Sequence, residues 1–306
     1  MNSVTNTTPP TFNVRTNEPM SRHSTWRVGG VATQYFQPAD LEELQQFLAE
    51  VPEREPLLWM GLGSNLLVRD GGFHGTVINL VDALGAMTHL DDGHFRIEAG
   101  VTCARAARAT ARQGYSGLEF WIGIPGTCGG ALAMNAGAHG QETWDLVREV
   151  ETIDRHGKLR TRDRQDFDIG YRRAYLPAEE WFVAGRFVLS PLSADLCETR
   201  MRQMLERRSA TQPIGRPSCG SVFRNPAGDH AGHLIEAAGL KGYRIGGCQV
   251  ADKHANFIIT EPGTTAGDIE ALIEHVRSVV RQQFDVDLRP EVCIVGDRKS
   301  EAGEHG

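Results

Sequence analysis

The 306-residue sequence predicts an α+β protein, and three observations carry that prediction. Short apolar runs of strand length alternate with helical periodicities through the first two-thirds of the chain. A proline- and glycine-bearing segment, Gln212-Pro-Ile-Gly-Arg-Pro217, then marks a boundary. Beyond it begins a second, smaller set of helices and strands laid over the first.

The elements follow in chain order. Residues 1–19 are rich in Asn, Thr and Pro without an apolar core, which reads as a frayed tail and not a signal peptide. Pro38-Ala-Asp-Leu-Glu-Glu-Leu44 opens a helix, with Asp40 at the N-cap, Glu43 in the capping-box position and Leu41, Leu44 and Leu48 on one face. Strands at 57–60, 76–80 and 95–99 and a helix at 102–112 make a βαβ-like unit. Arg105, Arg108 and Arg112 share one side of that helix, which in an acidic protein is a solvated face. Residues 150–153, 181–183 and 187–189 read as short strands, separated by a charged, irregular stretch at 155–173. A helix at 196–208 leads to the boundary. After it, Ala231, Leu234, Ile235 and Ala238 mark a short helix stopped by Gly239, and 257–260 a strand. Ile269, Leu272, Ile273, Val276, Val279 and Val280 mark a longer amphipathic helix, entered at Thr265 with Asp268 three residues on. Residues 291–295 close as a strand.

Composition excludes several classes. A net charge of −7 and a pI near 5.9 give no global attraction to nucleic acid or anionic membrane. No run is long enough to span a bilayer. Cys103, Cys128, Cys197, Cys219, Cys248 and Cys293 show no Cys-x-x-Cys spacing, so neither a zinc site nor a disulfide framework is expected, and a reducing cytoplasm fits best. His230-Ala-Gly-His233 is a poor metal pair, and no metal is expected.

Two stretches point to a ligand. Residues 117–140 are dense in glycine around Pro125, and so much backbone freedom suits close approach to a ligand. Gly61-Leu-Gly-Ser-Asn-Leu-Leu-Val-Arg-Asp-Gly-Gly72 follows a strand and reads as a phosphate-binding loop. Together they suggest a dinucleotide lying extended across the protein, with the polar Ser64, Asn65 and Asn135 favouring binding over bare turns. A Rossmann site is excluded, because Leu66 stands where the third glycine belongs and no helix follows.

Three polar clusters are candidates for chemistry: 217–226 around Ser221, Tyr171-Arg172-Arg173, and Leu288-Arg-Pro-Glu-Val292. Singly they read as a turn serine, a surface charge and a strand-end carboxylate. No Gly-x-Ser-x-Gly elbow and no His-Glu-x-x-His occurs, which removes the common serine- and zinc-hydrolase readings.

As a set, the motifs resemble the UDP-N-acetylenolpyruvoylglucosamine reductases, FAD enzymes of bacterial peptidoglycan synthesis. The matching segments are 24–30, 61–70, 124–131 with 134–138, Tyr171-Arg172, Gly220-Ser-Val-Phe-Arg-Asn-Pro226, 246–250 with 253–257, and 288–292, in family order. The resemblance implies a fold of the vanillyl-alcohol-oxidase type, with FAD-binding subdomains at 20–80 and 81–210, a substrate-binding domain at 211–298 and a tail at 299–306. It implies that NADPH reduces the flavin and leaves. The enolpyruvyl ether of UDP-N-acetylglucosamine then enters the same cleft and takes hydride, giving UDP-N-acetylmuramate for wall growth, cell shape and division.

By motif match, Ser221 would be the proton donor, and Arg172 and Glu291 would steady the substrate carboxylate. FAD would be held non-covalently by Gly61, Gly63, Ser64 and Asn65 and by Ile124, Pro125, Gly126, Gly129, Gly130, Asn135, Gly137 and Ala138; Arg224, Asn225, Lys253 and Asn256 would contact substrate. Three departures accompany the resemblance. Arg224 replaces an expected Lys, Arg173-Ala174 replaces an acidic residue and serine, and the span from Arg172 to Pro217 is too short for the tyrosine-bearing loop of one branch. An alcohol- or sugar-oxidising flavoenzyme of the same fold, or a UDP-sugar-binding module, would have no reason to keep Ser221, Arg172 and Glu291 together.

Overall fold

The computed structural model of the protein describes residues 12–177 and 179–299. Its first layer is a four-stranded sheet in the order Val14–Pro19, Val31–Phe36, Phe73–Asn79, Leu57–Met60, the first pair antiparallel and the others parallel. Helix α1 (Leu41–Glu50) makes the crossover that parallel strands require. Asp40 caps it, accepting the Glu43 N–H at 2.9 Å, and Leu44 and Leu48 are buried on its inner face.

The second layer is a five-stranded antiparallel sheet in the order Leu159–Asp163, Val147–Asp154, Glu180–Val188, His94–Glu98, Met87–His89. Helices α2 (Cys103–Arg112), α3 (Cys128–Ala133) and α4 (Ala194–Thr211) accompany it, with a core that includes Phe95, Ile97, Ala106, Trp121, Trp144 and Phe187. On α2, Cys103, Ala106, Ala107 and Ala111 face in and the three arginines face solvent, as the helical periodicity predicts.

Three expectations are corrected here. Residues 14–19, expected to belong to a frayed tail, form the edge strand Val14–Pro19 paired with Val31–Phe36, and an edge strand of mostly polar residues carries no apolar alternation to read; residues 1–11 of the expected tail lie outside the described residues. Residues 181–183 and 187–189 are not separate strands but parts of one, Glu180–Val188. The apolar pattern breaks at Gly185 because a Cβ there would stand 2.8 Å from the Phe187 ring and 3.2 Å from Leu132 of α3; the strand is small at that point so that α3 can lie against it. The stretch at 155–173 is not irregular either. It holds the edge strand Leu159–Asp163 and a hairpin, Asp168–Gly170 against Arg173–Tyr175. An edge strand with charged residues facing out lacks the apolar alternation by which buried strands are read.

The third part contains α5 (Ala231–Ala237), a small sheet of Arg244–Ile245, Cys248–Val250 and Ile258–Thr260, and α6 (Ala266–Phe284). Thr265 and Asp268 form the expected capping box on α6. This part is stitched to the first. Trp26 and Leu67 sit in the same apolar cluster as Phe223, Ile235, Leu272 and Ile273. The Trp26 indole N–H donates to the Ile258 carbonyl at 2.8 Å, and Cys293–Val295 pairs in parallel with Leu66–Val68, the strand that leaves the glycine loop. No helix among the described residues is long and apolar enough to cross a membrane.

Asp70 completes the stitching. Its two carboxylate oxygens accept the Ala266 and Gly267 N–H groups at 2.9 and 2.8 Å, so an acidic side chain from the glycine-loop segment caps the positive end of α6. Asp70→Ala should therefore lower stability by about 1–2 kcal/mol, read as a lower urea midpoint with an unchanged slope. An unchanged midpoint would remove Asp70 from this role.

Candidate active site

The two glycine-rich loops meet. A Cβ on Gly61 would lie 2.6 Å from the hydroxyl of Thr127, the N-cap residue of α3, and one on Gly63, at φ +63°, would collide with the His23 carbonyl. Likewise a Cβ on Gly129 would press Ala99, and one on Gly137 the Gln141 carbonyl. These four glycines are required by the protein's own packing. Gly126 and Gly130 differ: no heavy atom lies closer than 3.7 Å to the place a Cβ would take, so their faces are open.

The amide N–H groups of Leu62, Gly63, Ser64 and Asn65 have no acceptor among the described residues, whereas those of Cys128 and Gly129 are spent on the Val101 and Ala99 carbonyls. A run of free N–H groups around a left-handed glycine is a concave anion site. Where the loops meet, a cavity of about 120 Å³ is lined by Gly61, Thr127, Gly130 and the indole of Trp59 among others. These features fit a cofactor with a pyrophosphate at 62–65 and a ring at the cavity. Two side chains that could attach a flavin covalently are turned away. Cys128 is fully buried with its thiol directed to the Ile97 carbonyl at 3.5 Å, and His74 is exposed beside Asp297.

Ser221, Arg172 and Glu291 are brought together by backbone pairing. Residues 222–224 run antiparallel to 289–291: Glu291 N–H donates to the Val222 carbonyl at 2.7 Å and Arg224 N–H to the Arg289 carbonyl at 2.9 Å. Ser221 is half-buried and follows Gly220, which at φ +70° turns the chain into this pairing. Glu291 is anchored a second time by Asn65, whose amide donates to the Glu291 carbonyl at 3.1 Å, so the glycine loop and the 289–291 segment share a hydrogen bond.

Arg172 arrives from the second layer. Tyr171 and Arg172 are the two-residue connection of the hairpin, and Arg172 holds φ +58°, a left-handed conformation that costs a non-glycine residue on the order of 1 kcal/mol. Its guanidinium Nη1 donates to the Gly137 carbonyl at 3.3 Å, and its Nε lies 3.0 Å from Glu291 Oε1. That Nε–H is not aimed at the carboxylate. Arg172 Nε and Arg224 Nε are both buried without a well-aligned acceptor among the described residues, Arg172 being ion-paired with Glu291. Burial pushes the Glu291 carboxyl above its ordinary range, against the pull of Arg172 and Arg224. The replacement of an acidic residue by Arg173 does not disturb this, since Arg173 turns outward to Asp168 and the Tyr175 ring.

Other residues singled out in the sequence lie in supporting positions. Asn135 is buried with its side chain spent on Glu142, on the Trp144 N–H and on the Gly170 carbonyl at 3.2 Å, so it braces the turn that carries Arg172. Asn256 is buried and grips Phe223 twice, accepting its N–H at 2.9 Å and donating to its carbonyl at 2.8 Å. Asn225 accepts the Ala231 N–H at the start of α5. Lys253 is exposed and donates to the Ser209 carbonyl in the last turn of α4. Cys219 faces away from the cleft, with its thiol against Thr25 and the Gly63 and Leu66 carbonyls and burial pushing it up to about 11. Sequence reasoning missed Thr127 as the meeting point of the loops and counted Trp59 only as an apolar strand residue. An N-cap threonine before Cys-Gly-Gly, and a tryptophan two residues before a phosphate loop, were the available signals.

Comparison with known proteins agrees with this geometry. Residues 32–162 match a family described as an FAD binding domain, so the chain carries a flavoprotein fold. Residues 212–295 match the C-terminal domain of UDP-N-acetylenolpyruvoylglucosamine reductase. The enzyme of that name from Alkalilimnicola ehrlichii is 56% identical over 283 residues, covering 92% of this chain and 95% of that protein. The one from Legionella pneumophila is 52% identical over 282 residues, covering 92% of each. The crystal structure of the reductase from Thermus caldophilus, 30% identical, superposes with a TM-score of 0.79 over 93% of this chain and 98% of its own. The chain belongs to the UDP-N-acetylenolpyruvoylglucosamine reductase family, with the α+β fold expected of it.

The Glu291 environment makes a pH prediction. A carboxyl raised in the folded state contributes stability while it is protonated and loses it as pH rises through the folded pKa. Glu291→Gln, which keeps the neutral shape, should therefore gain stability relative to the natural protein between pH 5 and pH 8. Paired urea titrations of the two proteins at both pH values measure the difference; a variant that becomes relatively less stable at pH 8 contradicts the assignment.

Proposed function

We infer that the protein reduces the enolpyruvyl ether of UDP-N-acetylglucosamine to UDP-N-acetylmuramate, with NADPH as hydride donor and FAD as non-covalent cofactor, supplying a peptidoglycan precursor. One observation carries the reading at the site. Residues 222–224, which follow Ser221 directly, lie antiparallel on 289–291, and Glu291 at the end of that pairing lies against Arg172, Nε to Oε1 3.0 Å. All six cysteines are unpaired, which fits a reducing compartment, and we place the enzyme in the cytoplasm.

Bound FAD would supply the redox step, accepting hydride from NADPH and passing it to C3 of the enolpyruvyl group. The chain's own residues must then manage charge and a proton. Hydride at C3 leaves C2 with carbanion character delocalised into the substrate carboxylate. Arg172 and Arg224 can each direct a desolvated N–H at that carboxylate, and donors that need no reorganisation stabilise developing charge most effectively. A guanidinium at 224 also offers a fork where a Lys would offer a point charge, so the carboxylate is oriented as well as attracted. Burial pushes the Glu291 carboxyl above its ordinary range, against the pull of Arg172 and Arg224, which disfavours a second negative charge beside the same carboxylate.

Ser221 Oγ supplies the proton to C2. A hydroxyl is a poor acid in water, and it serves here because its acceptor is strongly basic, desolvated and held in place. Among the described residues no separate nicotinamide domain accompanies this cleft, in keeping with NADPH and the sugar nucleotide using it in turn.

Ser221→Ala tests the reading by splitting the cycle. Flavin bleaching by NADPH should stay near the natural rate, while return of colour on adding the enolpyruvyl substrate should slow by roughly a hundred- to ten-thousandfold. Equal slowing of both phases in stopped-flow absorbance would mean that Ser221 supports the cleft and donates nothing. Cys219→Ala should keep most activity, because its thiol faces the Gly63 and Leu66 carbonyls. A several-hundredfold loss in the substrate-reducing phase with the fold intact would transfer the donor role to Cys219.

A further inference from the structure

Trp59 stands two residues before the phosphate loop and is the one indole here whose nitrogen is buried without an acceptor among the described residues. Trp26, Trp121 and Trp144 all donate, to the Ile258 carbonyl, the Thr143 hydroxyl and the Leu132 carbonyl at 2.8, 3.1 and 2.8 Å. A donor removed from water and left unmade carries its full desolvation cost, so such a group calls for a partner. The Trp59 ring is held rigid by stacking on Trp181, with centroids 4.7 Å apart and planes 17° from parallel. It lines the cavity of about 120 Å³ at the junction of the two glycine loops, together with Thr127, Gly130 and Trp181.

The cavity's place in the cleft says what it receives. Its lining comes from the first two layers and includes nothing from residues 212–295, to which Ser221, Arg224 and Glu291 belong. FAD has two ring systems joined through a pyrophosphate. If the phosphates sit on the free N–H groups of 62–65 and the reacting ring lies by Ser221, the purine is left for the far end.

We propose that Trp59 is a specificity residue for the purine end of the cofactor: its indole N–H donates to a ring nitrogen of adenine in the cavity at the loop junction, with Trp181 locking the donor's orientation. This rests on the reading of the protein as an FAD enzyme. It adds selection for the dinucleotide over the mononucleotide, because FMN ends at its phosphate and cannot reach Trp59. Trp59 makes no contact with the reacting atoms and is no part of the hydride or proton step.

The test titrates the full chain, stripped of flavin, with FAD and separately with FMN, following flavin fluorescence. Trp59→Phe keeps an aromatic ring against Trp181 and removes only the N–H. The FAD dissociation constant should rise roughly five- to fiftyfold, as loss of one buried hydrogen bond implies, while that of FMN stays as in the natural protein. An equal rise for both, or none for either, would overturn the proposal, the first by making Trp59 a structural residue and the second by assigning its N–H to buried water. FAD analogues with one purine ring nitrogen replaced by C–H give a second answer on the unsubstituted chain. One of them should lose a similar factor, and the proposal fails if all bind like FAD. Absence of FAD binding by the natural protein would instead defeat the flavoenzyme reading itself.

Discussion

Residues 222–224 are hydrogen-bonded to 289–291, and that short antiparallel contact is the one on which the rest of the candidate site depends. It takes two turns from opposite ends of the third part of the chain and fixes Ser221 relative to Glu291. Asn256 holds one side through Phe223, and Asn65 holds the other through the Glu291 carbonyl. Because Asn65 belongs to the glycine loop, the segment that follows Ser221, the proposed proton donor, is tied by two hydrogen bonds to the place where the cofactor's phosphates would lie. Geometry held in this way through polar contacts shut off from water is precise and easily lost, since each buried partner left unmade costs on the order of 1–3 kcal/mol.

Against that frame the protein tolerates three local penalties. Arg172 adopts a left-handed backbone, Arg172 and Arg224 keep buried Nε–H groups without a well-aligned acceptor, and burial raises the Glu291 carboxyl above its ordinary range. On the proposed function, the substrate carboxylate would offer the guanidinium donors the acceptor they lack. Strain at a site is useful when the ligand removes it, because the relief adds to binding only in the productive arrangement.

Local features of the fold were legible in the sequence where they depend on neighbours a turn away. The Asp40 cap, the Thr265–Asp268 box and the inward face of α2 are of that kind. The strand Glu180–Val188 was not, because Gly185 is small for the sake of Leu132, which lies 53 residues earlier in the chain (185 − 132). The charged edge strand Leu159–Asp163 was hidden for the opposite reason, since solvent and not packing sets its composition. Singly, Ser221 read as a turn serine and Glu291 as a strand end; the family resemblance grouped them with Arg172, and the backbone pairing of 222–224 with 289–291 was not legible in the sequence. Of the glycines expected to contact the cofactor, Gly61, Gly63, Gly129 and Gly137 are also small for the sake of neighbouring protein atoms, while Gly126 and Gly130 leave an open face. Asn135, placed among the cofactor contacts, spends its side chain bracing Arg172's turn, a role set by the Gly170 carbonyl 35 residues on.

The most direct measurement of the central claim is anaerobic NADPH consumption by the purified flavoprotein, followed at 340 nm with a panel of acceptors. The panel comprises the enolpyruvyl ether of UDP-N-acetylglucosamine, UDP-N-acetylglucosamine itself and a simple sugar alcohol. Sustained oxidation in one-to-one ratio with the enolpyruvyl ether, and with neither of the others, is the result this account predicts. Sustained oxidation that is indifferent to the enolpyruvyl group, or none with it while the flavin is present and reducible, would contradict the assignment of Ser221, Arg172 and Glu291 to that chemistry.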